Sequence, residues 1–190
     1  RGGALAIDFA IEHPERTVGL VLVGTNLSGA PEADLPDAAE ALYDARAYAK
    51  ERKQWASVNR IDAHLWLDGP ESQNGRVGGP ARELFLEMNG ARLGRTAFTQ
   101  EEEPDAAIDN LGAITAPVLL VVGDLDFPYV VERHEELSEE FENAFSVTLE
   151  DTAHLPNLER SDLFDPLLLE FLDAVAGHSE LGDEDEGEDG

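Results

Sequence analysis

The chain has 190 residues, 42% of them hydrophobic, a formal net charge of −28 and no cysteine. That length allows one domain with a sizeable core, and the absence of cysteine excludes disulfides and thiolate metal sites. No run approaches the ~18 apolar residues of a membrane-spanning helix, and so acidic a surface disfavours nucleic acid or an anionic membrane as partner.

The acidity is not confined to one end. Glu180 and the acidic residues from Asp183 to Asp189 crowd the C-terminus, but the remainder is strongly acidic without them. Lysine is scarce, with Lys50 and Lys53 the only two. Such a surface suits high salt, where screening removes self-repulsion, and points to a halophilic protein. An ordinary acidic protein with an acidic tail is the other reading.

In chain order, Arg1-Gly2-Gly3 opens a nearly all-apolar helix that stops at Pro14. Paired glycines suit a tight strand-to-helix turn packed against a sheet, and a helix apolar on most faces belongs in a core. A β-type run follows from Val18 to Val23 and ends at Gly24. Its continuous apolar character reads as a parallel strand buried on both faces. Loop chemistry from Asn26 to Asp34 leads into a long helical segment, about Ala38 to Val58, and a shorter one around Ile61 to Leu67. Glycines and prolines between Asp68 and Gly79 mark a loop. Helix resumes near Pro80, a favourable first helical position, with Leu84, Phe85 and Met88 as its apolar stripe. The section from about 28 to 110 offers no convincing strand and reads as a helical insert.

The second half is regular. Val118 to Gly123 is another buried strand, Pro128 starts a helix, and Phe145, Val147 and Leu149 alternate as in a short strand. Asp165-Pro166 is expected to cap a last helix carrying Leu167, Leu168, Phe171, Leu172 and Val175. From about Ala176 the chain turns polar and is expected to be disordered. Strands joined by helices imply an α/β fold, a parallel sheet with helices on both faces.

Two residues fall just past strand ends, where α/β sheets build their ligand sites. Asp126 lies in Gly123-Asp124-Leu125-Asp126-Phe127-Pro128, and His154 in Asp151-Thr152-Ala153-His154-Leu155-Pro156, with Glu159 five residues on. Asp124 is a rival acid that can equally cap its turn, and His154 can be read as a plain turn histidine. His134, spaced helically among apolar residues, reads as packed at the edge of the core. His13 suits the end of the first helix, while His64 and His178 read as solvent-facing. No His/carboxylate set has metal-ligand spacing.

Arg1-Gly2-Gly3 resembles the back half of the nucleophile elbow G-x-S-x-G of the α/β-hydrolase superfamily. The His13-Pro14-Glu15-Arg16 stretch before a strand, the helical insert, the acid turn and the late histidine turn follow in that superfamily's order. The resemblance covers nearly the whole chain. It implies the C-terminal part of an α/β-hydrolase sheet, with hydrolase core at 1–27, a helical lid at 28–112, core again at 113–176 and an acidic tail at 177–190. It further implies Asp126 as the acid and His154 as the base of a catalytic triad, with the backbone N–H of Arg1 in the oxyanion hole. The nucleophile would sit one residue before Arg1, and the lack of an initial Met fits a fragment of a longer protein, inactive alone.

Serine at that position implies an esterase or lactonase; aspartate implies a haloalkane dehalogenase or epoxide hydrolase. A non-catalytic remnant of the fold is the reading outside enzymology. Leu65-Trp66-Leu67-Asp68-Gly69-Pro70 is similar to the lids of enol-lactonases and general esterases. Trp55, Trp66 and Phe85 can line a substrate pocket or form the core of the insert. The resemblance implies a small ester or lactone as substrate; no metal and no cofactor are expected, and the expected setting is cytoplasmic.

Overall fold

The computed structural model describes residues 2–95 and 106–182, the last five (178–182) as backbone alone. Helix α1 (Gly2–Glu12) and a short 3-10 turn (Pro14–Arg16) lead into strand β1 (Leu20–Val23). The insert holds α2 (Asp37–Glu51), α3 (Trp55–Ala63) running on as a π-turn (His64–Asp68), and α4 (Gly79–Arg92). Two 3-10 turns (Ala107–Asp109 and Leu111–Ala113) precede β2 (Val118–Gly123), followed by α5 (Pro128–Glu140), β3 (Ala144–Leu149), α6 (Pro156–Glu159) and α7 (Ser161–Gly182).

The three strands form one parallel sheet in the order β1-β2-β3, with Leu20 opposite Val118 and Val118 opposite Ala144. Side chains alternate across a strand, and the two faces bury different sets. Leu20, Leu22, Val118 and Leu120 pack with Ile7 and Ala10 of α1 and with Leu137 and Phe141 at the end of α5. Leu119 and Val121 turn to the opposite face, where Leu149 and the α7 residues Phe164 and Phe171 meet them. Every residue of β2 is buried, as a central strand flanked by helices on both faces requires. No helix among the described residues is long and apolar enough to cross a membrane.

Several elements depart from the sequence-based expectations. Helix α1 buries Ile7 and Ala10, but Leu5 is 68% and Phe9 40% exposed, because only one of its faces meets the sheet and the 3-10 turns. The long helix of the insert breaks at residues 52–54 rather than near Val58. Gln54 N–H donates to the Ala49 carbonyl and Lys53 N–H to that of Lys50, with Lys53 at φ +56°. That is a Schellman ending with lysine where glycine is usual, so the sequence shows no glycine to mark it. The last helix starts at Ser161 and contains Pro166. Phe164 in its first turn is buried against the sheet, and this packing outweighs the backbone bond that proline removes. The same helix extends past Ala176 to Gly182; the acidic residues 183–190 lie outside the described residues.

Candidate active site

Asp126 and His154 stand on turns leaving the C-terminal ends of β2 and β3, neighbouring strands whose parallel pairing brings the turns together. Backbone bonds join the turns: Asp124 N–H donates to the Leu149 carbonyl, Leu125 N–H to that of Thr152, and Asp124 Oδ1 accepts from Thr152 N–H. Asp124 is therefore the turn-tying acid. Gly123 lies so close to the carbonyls of Thr152 and Ala153 that a Cβ would overlap them.

Within this frame His154 Nδ1 lies 2.8 Å from Asp126 Oδ2. The Asp126 side chain is fully buried and its other oxygen accepts from Phe127 N–H at 2.8 Å, whereas His154 is 25% exposed. A carboxylate can only accept, so the imidazole proton belongs on Nδ1 and leaves Nε2 as the basic nitrogen. Glu159, nearly fully buried, accepts from Ala153 N–H and Leu155 N–H, the amides on either side of His154.

Gly24 closes the site from the end of β1. Its φ is +52°, and a Cβ there would sit 2.9 Å from His154 Nδ1 and 3.0 Å from Asp126 Oδ2. Thr25 follows, buried, its hydroxyl packed against Gly3 and without a hydrogen-bond partner among the described residues. The start of α1 is thereby seated beside the Asp126–His154 pair. Arg1 lies outside the described residues.

Of the three aromatic residues singled out in the insert, Trp66 reaches the pair. Its ring lies 4.8 Å from the His154 ring and 4.9 Å from that of Phe127. Trp55 packs against Gly94, and Phe85 is half-buried on α4. Phe127 extends the aromatic group to Tyr129 and Tyr43, neither of which the sequence reading noticed. Burial, followed by the neighbouring Tyr129, pushes the Tyr43 hydroxyl up to about 12. Burial and then the Asp126 carboxylate raise Tyr129 as well. Both phenols therefore stay neutral in the physiological range and add no charge to the surface around Trp66. A cavity of about 370 Å³ lies against the acid turn, lined by Asp126 itself together with Glu71, Asp124, Glu132, Pro128 and Val131.

The other histidines lie elsewhere. His134 is buried on α5, its Nε2 2.8 Å from Ser146 Oγ, with burial lowering its pKa. His13 follows α1 and packs on Phe9. His64 is not free in solvent: its Nε2 lies 2.9 Å from the Ser72 carbonyl, because the π-turn folds the next loop back over it. The side chain of His178 lies outside the described residues. No group of three or more His or acidic side chains among the described residues is placed to hold a metal ion.

No family model matches the chain. It is 26% identical over 179 residues to the pimeloyl-[acyl-carrier protein] methyl ester esterase of two Neisseria meningitidis strains, covering 92% of this chain. It spans 55% and 67% of those relatives. Among solved structures it is similar to a thermophilic esterase from Thermogutta terrifontis, with a TM-score of 0.64, 23% identity, and coverage of 92% of this chain and 62% of that one. It is also similar to the 2-hydroxy-6-oxo-6-phenylhexa-2,4-dienoate hydrolase of Rhodococcus sp. strain RHA1, with a TM-score of 0.63, 22% identity and coverage of 91% and 61%. A third likeness is to Est816, described as an N-acyl homoserine lactone degrading enzyme, with a TM-score of 0.59, 20% identity and coverage of 90% and 64%.

Proposed function

From the premise that this chain carries the C-terminal part of the α/β-hydrolase fold, we propose that it supplies the acid and the base of a hydrolase acting on carboxylic esters or lactones. The observation that carries the reading is the 2.8 Å bond from His154 Nδ1 to the fully buried Asp126. It orients a partly exposed imidazole with Nε2 free to take a proton.

In this reading His154 takes the proton of a nucleophile held by the residue before Arg1, then delivers it to the leaving group. Asp126 keeps the imidazole in the required tautomer and stabilises the imidazolium. The backbone N–H of Arg1, a residue outside the described ones, is the oxyanion donor that the superfamily resemblance implies, and the positive end of α1 also favours negative charge there. Residues 28–112 act as a lid. Trp66, with Tyr129 and Tyr43 packed around the buried Phe127, offers an apolar surface to the acyl part of the substrate. Trp55 and Phe85, the other two aromatic residues singled out in the insert, support the lid rather than line the site.

The esterase names among the relatives and solved neighbours favour ester chemistry, and Est816 favours lactones as an allied class. The test is hydrolysis of a short-chain nitrophenyl ester by the full gene product in molar salt, beside Asp126→Asn. Turnover reduced ~10⁴-fold in the variant, the scale on which losing the orienting acid acts, supports the reading. Equal turnover of the two proteins refutes it.

A further inference from the structure

Two of the buried carboxylates that take no part in the chemistry just proposed, Asp68 and Glu159, belong to one network. Asp68, fully buried at the end of the π-turn, accepts from Gly75 N–H, Val77 N–H and the Arg82 guanidinium. Glu159 brackets His154 through the amides of Ala153 and Leu155. Arg76 joins the two ends. Its Nε donates to the Asp68 carbonyl (2.7 Å) and its Nη2 to the Leu67 carbonyl (2.9 Å), both on the segment carrying Trp66. Nη2 also donates to Glu159, and Nη1 to the Asp151 carbonyl (2.8 Å) at the start of the histidine turn. One planar guanidinium thus fixes the insert and the histidine turn at once, a geometry that the single ammonium of lysine cannot reproduce.

We propose that Arg76 is a positioning residue, setting the His154 imidazole in register with Trp66 by gripping Glu159 and the Asp151 carbonyl on one side and the Leu67 and Asp68 carbonyls on the other. The inference takes His154 to be the proton carrier proposed above. The geometry it asserts, however, can be measured without any turnover. Arg82 provides the control: it pairs with Asp68 in the same network, and no bond of it to the histidine turn enters the arrangement.

The experiment is NMR of the full gene product labelled on histidine, with the His154 resonance identified by its loss in His154→Ala. The Trp66 ring, 4.8 Å away, displaces that resonance by its ring current. Arg76→Met should lose most of this displacement, while the His134 resonance stays in place. Arg82→Met should lower the melting temperature yet leave the His154 resonance where it was. An unchanged His154 resonance in folded Arg76→Met overturns the proposal, as does an equal displacement in Arg82→Met. If Arg76→Met does not fold, Arg76→Lys decides: a partial displacement supports the proposal and a wild-type resonance overturns it. Absence of ester hydrolysis in the parent protein would count against the functional reading and leave this test standing.

Discussion

Replacing Gly24 with alanine tests how the sheet holds the Asp126–His154 pair. At φ +52° an alanine costs about 1–2 kcal/mol in backbone conformation alone. Its methyl group would also lie 2.9 Å from His154 Nδ1 and 3.0 Å from Asp126 Oδ2, inside van der Waals contact with both. Asp126 is fully buried and pinned by Phe127 N–H, so the part-exposed histidine gives way and the 2.8 Å bond opens. Losing a hydrogen bond to a charged group removes about 1.5–3 kcal/mol, which with the conformational cost makes about 2.5–5 kcal/mol. Gly75→Ala is the control, since Gly75 has φ +85° and open space around its Cα, so only the conformational cost applies. Urea unfolding of both variants gives the energies, and the downfield proton resonance of His154 Nδ1–H reports the pair. Equal costs for the two substitutions, with that resonance intact in Gly24→Ala, would refute the reasoning.

Two more outcomes follow from particular residues. Lys53→Gly should stabilise the protein by ~1 kcal/mol, because glycine carries no steric cost at φ +56° in the Schellman ending of α2; a loss of stability in urea unfolding would contradict this. Burial lowers the pKa of His134, so the folded state binds fewer protons than the unfolded one just below the usual histidine range. The contribution of His134 to stability is therefore fully present above the unfolded-state pKa and falls as acid takes the pH below it. His134→Gln should accordingly flatten the drop in melting temperature between pH 7.5 and 5.5, and an unchanged slope would count against it.

The architecture was legible because its signals are local and strong. Val118 to Gly123 is apolar at nearly every position, and only a strand covered on both faces uses such a run. Asp126 and His154 could be singled out because each follows a strand, and neighbouring parallel strands must bring their C-terminal turns together. The bond between them is a fact of three dimensions. Gly24 reads in sequence as a strand end, and only its 2.9 Å approach to His154 shows why a side chain cannot stand there. Arg76 and Glu159 lie far apart in sequence, and no periodicity links them. Trp55, Trp66 and Phe85 look alike by type, and which of them lies against His154 depends on the π-turn that carries Trp66. The ending of α2 escaped notice because lysine occupies the position where glycine would have announced it.

The central claim is that His154, oriented by Asp126, activates a hydroxyl held directly before Arg1. It is tested most directly by treating the full gene product with a fluorophosphonate and locating the added mass by peptide mass spectrometry. The account predicts a single label on a serine adjoining Arg1, formed in the parent protein and lost in His154→Ala. No label, a label elsewhere, or equal labelling of the His154→Ala variant would contradict it. An aspartate at that position would assign the same fold to alkyl-enzyme chemistry instead.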